Sequence, residues 1–175
     1  MKLKLHEAMG LVALVLLGVL AMGTVQDFNN YKPGTYATIY ANDAVVAQSI
    51  PTGAGHTKLT LFDKNGDDND CTADVANDKV TVTHAGVYSI TGSYSFASGT
   101  GSVVWHVAPF INGTEAQGGH FERKTPANDV GSAAISCVAR VGANEDVDVR
   151  VTHDSGGAVN LTMSQGSLNV IYLGE

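Results

Sequence analysis

The densest run of oxygen ligands in the chain is Asp63-Lys64-Asn65-Gly66-Asp67-Asp68-Asn69-Asp70. Calcium takes about six to eight hard oxygens, and carboxylates alternating with amides on a loop supply them. Asp63, Asn65, Asp67 and Asp70 are therefore the candidate ligands of a calcium loop. The spacing is not that of an EF-hand, because Gly66 falls too early and no Glu closes the loop. A solvated hairpin turn at Asn65-Gly66 competes with this reading, since the same residue types favour turns. Calcium is the one cofactor the sequence suggests; otherwise none is expected.

His84, His106, His120 and His153 fall on or near predicted strands. Either they converge in an oligomer as metal ligands or a pH-sensitive cluster, or each is a single half-buried strand residue. Asp154-Ser155-Gly156-Gly157 superficially resembles the nucleophile segment of trypsin-like proteases. The preceding glycine is missing, and a two-barrel protease needs a longer chain with its own His and Asp segments. A hairpin turn accounts for those four residues. Cys71 and Cys137 have no partners at zinc-ligand spacing. They form one disulfide in an oxidising compartment, or else two half-buried small side chains. Asn112-Gly113-Thr114 and Asn160-Leu161-Thr162 match the glycosylation acceptor pattern, which matters only in a eukaryotic secretory route. No phosphate loop, nucleotide fingerprint, thiol–histidine pair or paired-carboxylate motif occurs, so no enzyme is expected.

The elements that position these residues divide into a short apolar leader and one β domain. Residues 1–26 begin with Lys2 and Lys4 and then run without charge from Ala8 to Val25. Leu11, Leu14, Leu17 and Leu20 belong to a stretch that is apolar on every face, which requires lipid or a protein core. Its helix would be roughly 27 Å long, at the short end of what spans a bilayer. A retained membrane anchor is the favoured reading. A signal peptide cleaved after Ala21-Met22-Gly23 is the alternative, and burial in a larger assembly is a third. With either membrane reading the lysines stay inside and the rest of the chain lies across the membrane. Residues 27–34 read as a polar linker ending in Pro-Gly, and 35–175 as the domain.

That domain is sparse in helix formers and charge. The whole 175-residue chain carries a net −7, against the basic stripe a nucleic-acid partner would want. Alternating apolar and polar residues predict strands at 36–41, 45–50, 58–62, 79–84, 87–96, 103–111, 119–123, 132–141, 146–153, 160–164 and 167–173. Turns fall at Asn65-Gly66, 99–101, Asn112-Gly113, Ala143-Asn144 and 155–157. Short strands at this spacing, with no helical pattern between them, give an all-β two-sheet sandwich.

The segment NDKVTVTHAGVYSITGSYSF (77–96), followed by PFING (109–113), resembles the centre of the C1q/TNF-like domain. Members of that family carry a strand, an (A/P)-G-x-Y strand and a strand closing on Asn-Gly; Tyr88 fills the aromatic slot. SAAISCVARVGANEDVDVRV (132–151) is similar to the family's late hairpin, and SLNVIYLGE (167–175) to its last strand. The resemblance covers about residues 36–175, departing in a weak Phe-rich start and the absence of a collagen-like stalk. It is closest in kind to bacterial and phage surface proteins. It implies a jelly roll of about ten strands that forms a homotrimer through apolar and aromatic residues along a three-fold axis. Tyr94, Phe96, Trp105, Phe110 and Tyr172 are the candidates for that interface. It further implies a non-enzymatic structural or surface-display protein, on a virion or cell surface, membrane-anchored or held in a larger assembly by its leader. The alternative is a secreted or cell-surface recognition module. It would bind a glycan or protein receptor through apical loops around 63–70, 97–102 and 154–158.

Overall fold

A computed structural model of the chain describes residues 34–42, 46–53 and 55–175. The expected N-terminal helix, with Leu11, Leu14, Leu17 and Leu20, lies outside them. Among the described residues no helix is long and apolar enough to cross a membrane. Gly34–Glu175 forms a compact unit with its own core.

In chain order the strands are β1 Tyr36–Asn42, β2 Ala47–Ile50, β3 Thr57–Lys58, β4 Lys64–Asn69, β5 Cys71–Asp74, β6 Lys79–Val82 and β7 Gly86–Ser98. They continue with β8 Val103–Ile111, β9 Thr114–Glu115, β10 Phe121–Thr125, β11 Val130–Val141, β12 Asp146–His153 and β13 Val159–Gly174. One sheet runs β11-β7-β13-β1-β4 with β2 also on β13; the other runs β10-β8-β12-β6-β5 with β3 on β12 and β9 on β8. Every ladder is antiparallel, and the two sheets pack face to face as the alternation demands. The two late strands expected at 160–164 and 167–173 are one strand, β13, kept continuous by a bulge between Met163 and Gln165. At Asn112-Gly113 the expected turn forms, with φ of 46° and 84°, the left-handed pair that a two-residue hairpin requires.

The inward residues explain the sandwich. Trp105 is fully buried; its Nε1 donates to Thr125 Oγ1 at 2.9 Å, and its ring meets Phe96 edge-on at 6.3 Å. Along the rest of the core Tyr88, Ile90, Val147, Val149, Val151, Leu168 and Val170 are buried between the sheets. Two glycines make room for aromatic rings. A Cβ at Gly86 would stand 2.3 Å from the Tyr172 ring, and one at Gly92 would stand 2.2 Å from the Tyr94 hydroxyl. Close approach, rather than a left-handed backbone, is what these two positions require.

Burial corrects two expectations. Tyr94, Phe96 and Trp105 are 3%, 2% and 0% exposed between the sheets, so they offer no area to another subunit. Phe110 is also covered within the chain, although on the opposite side of its sheet, and Tyr172 is half-buried edge-on against Tyr88. Tyr94, Phe96 and Trp105 are thus used inside the sandwich. Cys71 and Cys137 are free buried thiols. Cys71 lies on β5 at one lateral edge of its sheet, and Cys137 on β11 at the other edge of the facing sheet, so no disulfide joins them. Burial pushes both thiols up from their ordinary pKa.

The register also sorts the loops. Tyr36 pairs with Ile171 and Asn42 with Gln165, so β1 starts at the end where β13 finishes. Loops 99–102, 126–129 and 154–158 gather at the opposite, distal end. There Gly99 N donates to Asn160 O, Asn128 N to Ser98 O, and Thr52 Oγ1 to Ser155 O.

Candidate functional site

Two surfaces stand out, one on each sheet. On the first, the outward residues of β11, β7, β13 and β1 are almost all neutral. Arg140 is the one formally charged residue in all four strands. Register aligns Val138, Ser89, Ile171 and Tyr36 in one row across the face, and Ser136, Thr91, Asn169 and Thr38 in the next. Val130, Val138, Ile171 and Leu173 are 57%, 62%, 47% and 57% exposed, far more than apolar side chains gain from water contact. Hydroxyls between them already pair across strands, as with Ser95 and Ser132 at 3.1 Å and Thr38 Oγ1 donating to Asn169 at 3.0 Å. Such a face loses little when covered, since it holds almost no charge to desolvate.

The acidic run does not make a calcium loop. Residues 64–69 form β4 at a sheet edge, and the Asn65-Gly66 turn expected there is part of the strand, opposite β1. Its oxygens are engaged one at a time. Asp63 accepts from Asn42 N at 3.1 Å, Asn65 from Val75 N at 2.8 Å, and Asp68 from Ala73 N at 3.0 Å. Asp70 meets His84 Nε2 at 2.7 Å, and Asp67 is exposed. A strand spreads its side chains to both faces, where a cation loop converges them. For the same reason the run is not one of the apical loops; 99–102 and 154–158 do share the distal end.

On the second surface the structure brings histidines together within one chain. His106 on β8 and His120 just before β10 face each other edge-on, ring centroids 5.6 Å apart. His106 Nδ1 lies 3.2 Å from Glu122 Oε1, and its Nε2 lies 2.8 Å from Asp154 Oδ1, so both nitrogens have carboxylate partners. His120 Nε2 is 4.0 Å from the same Glu122 oxygen, while its Nδ1 is 3.6 Å from Glu115 Oε1 on β9. His56, just ahead of β3, completes the group; its ring is 6.1 Å from His120 and 5.3 Å from Phe110. Phe110 is the platform, with the Arg150 guanidinium 4.6 Å above its ring, itself held by Asp148 at 2.8 Å. Burial pushes His56 below the ordinary histidine pKa. Glu115 opposes that shift, and His120, His106 and Arg150 add to it. Its Nε2 is buried and has no hydrogen-bond partner among the described residues.

Two of the four histidines singled out in the sequence therefore belong to this cluster, and two do not. His84 sits against Asp70, and His153 faces the core, its Nε2 donating to Ile50 O while Nδ1 accepts from Ser155 N. That last contact also fixes Asp154-Ser155-Gly156-Gly157 as the turn between β12 and β13. His56 and Glu115 were missed. His56 follows Gly55 outside any alternation, and Glu115 is on a two-residue strand, so no local pattern marks either.

No protein-family profile matches the chain, and no curated protein does. Solved structures do. An Eiger TNF from S. frugiperda superposes with a TM-score of 0.59 at 13% identity, over 82% of this chain and 95% of that one. The globular domain of zebrafish complement 1qA gives 0.55 at 11% identity, over 79% and 97%. Murine APRIL, crystallised at pH 5.0, gives 0.51 at 15%, over 79% and 100%. The fold is that of the TNF and C1q jelly rolls, and the likeness at these identities is one of fold.

Proposed function

We propose that this chain is a non-catalytic, homotrimeric display module whose subunits associate through the neutral face of β11, β7, β13 and β1. The observation that carries the reading is that face: four adjacent strands with one charge among them and exposed Val138, Ile171 and Leu173 across it. Apolar side chains and self-satisfied hydroxyls gain from mutual burial, at about 25 cal/mol for each Å² of apolar area. A TNF/C1q-like jelly roll supports three-fold association as its arrangement.

The apolar leader would hold the trimer in a membrane or in a larger virion or surface assembly. Because β1 begins at the end opposite loops 99–102 and 154–158, those loops would face outward. That gathering of loops favours a second role on the same scaffold, contact with a glycan or protein receptor. Light scattering of the full-length chain in mild detergent should give three times the monomer mass; a monomer at micromolar concentration refutes the reading. Mass spectrometry of the native N-terminus separates a retained anchor, which keeps Met1, from a cleaved leader. Binding on a glycan array supports the receptor role, and silence there alongside tight association with capsid or envelope proteins favours the structural one.

A further inference from the structure

We propose that His56, Glu115 and His120 bind a divalent transition-metal ion of the zinc class on the outward face of the β10-β8-β12 sheet. Their ligand atoms all lie within 4.8 Å of one another. The spacing between His120 Nδ1 and Glu115 Oε1 is 3.6 Å, too long for a good hydrogen bond. Ligands placed tetrahedrally about zinc at about 2.0–2.1 Å stand roughly 3.4 Å apart, close to the spacing found here. His56 supplies the independent observation. Burying a ring nitrogen without a partner is costly, and the Nε2 of His56 is in that position. A metal bond removes that cost. The platform under His56 is the Phe110 ring, so the site has one dry wall, and Arg150 over the same ring is kept by Asp148 from contributing an uncompensated positive charge.

The neighbouring trio of His106, His120 and Glu122 also comes within ligand distance. It is the poorer site, because both nitrogens of His106 already meet carboxylates, Glu122 at 3.2 Å and Asp154 at 2.8 Å. Its members have another use. With His120 bound through Nδ1, its Nε2 is left 4.0 Å from Glu122 Oε1, so a small rotation of the ring would make the hydrogen bond by which a carboxylate orients a metal-binding imidazole. Glu122 is then a positioning residue, steadied by His106. Imidazole and carboxylate together suit zinc, cobalt or nickel over calcium, which prefers oxygen alone. Three protein ligands leave a fourth position for water or a donor group brought by a partner molecule. The site lies on the sheet opposite the neutral face, so it does not depend on trimer formation.

The test uses the untagged full-length chain, stripped with EDTA and titrated with zinc against a chromophoric chelator. One ion per chain is expected, with cobalt giving the visible absorption of a four-coordinate site. His120→Ala and His56→Ala should abolish uptake, and Glu115→Gln, which keeps the side-chain shape, should weaken it at least tenfold. Glu122→Gln should weaken it about 10–100-fold, as loss of an orienting carboxylate does. His106→Ala should leave stoichiometry at one. Circular dichroism identifies any variant that fails to fold, and the Glu115→Gln result then decides. No uptake by the unmodified chain, or uptake unchanged in Glu115→Gln and His120→Ala, overturns the proposal. So does loss in His106→Ala with His56→Ala unaffected, or calcium competing equally with zinc.

Discussion

The two sheets bury their inner faces equally well but turn unlike surfaces outward. Four strands of the first hold one charge, Arg140. The second carries Lys79, Asp146, Asp148, Arg150, Glu122 and Lys124 on β6, β12 and β10, besides the histidine group. Packing the core does not require this difference, because the inward residues of both sheets are similar Val, Ile, Leu and aromatic side chains. The outward residues record what each face meets. Neutral hydroxyls and aliphatic groups can be taken out of water at small cost, whereas charged groups resist it unless paired. One face is suited to another protein surface and the other to water and ions.

The comparison breaks most readily by moving a charge across it. Ile171→Glu would place an unpaired carboxylate in the middle of the neutral face, a change that costs about 3–5 kcal/mol where it is buried. Light scattering should then report monomer, while Lys124→Glu on the other sheet leaves the trimer mass unchanged. A trimer that survives Ile171→Glu places the interface elsewhere. Trp105→Ala attacks what the two sheets share. It empties the largest buried site and leaves Thr125 Oγ1 without its donor, so urea unfolding should show a loss of about 3–5 kcal/mol. Asp68→Ala should cost about 1 kcal/mol by the same measurement, since it removes the acceptor of the Ala73 N–H.

The smallest effect sharpens the charged side. Burial alone would raise the Asp146 carboxyl, but hydrogen bonds from Lys79 at 2.8 Å and Thr81 at 2.7 Å, with the Lys79 and Lys58 charges, hold it below its ordinary pKa. As pH falls, the unfolded chain takes up the proton first. The stabilisation is therefore complete above about pH 4, the ordinary Asp value, and is lost as pH drops through the lower folded value. Asp146→Asn should flatten that acid limb in a pH series of urea midpoints. At neutral pH it should cost under about 1 kcal/mol, as expected for a partly exposed pair.

Much of this architecture was legible in the sequence. β8 and β12 fall at the limits the alternation predicts, 103–111 and 146–153, because Val and aromatic residues alternate there with polar ones and Asn112-Gly113 marks the turn. β4 and β5 were not legible. A run such as Asp67-Asp68-Asn69-Asp70 has the composition of a turn, and pairing with β1 overrides that preference. The aromatic rings were visible, but which surface they fill depends on sheet packing. The neutral face was half-legible, in Ser89, Thr91, Ser93 and Ser95 at every second position of β7. The histidine cluster draws on segments from residue 56 to residue 154, and only the closed sheet makes them neighbours.

The place of β13 bears on how the molecule is made. It follows every other strand of the domain in sequence, yet it lies inside its sheet with β7 on one flank and β2 and β1 in succession along the other. While the nascent chain is still on the ribosome, β7 and β11 can form their hairpin, but β1 has no partner on that side. It must wait more than a hundred residues for Ile171 to reach Tyr36. Pairings so distant in sequence fold slowly, and unpaired strands with so little charge invite association with other chains meanwhile. Closure of this sheet must therefore follow the emergence of β13, and a ribosome that stalls before residue 159 would leave β2 unpaired and β1 with β4 alone.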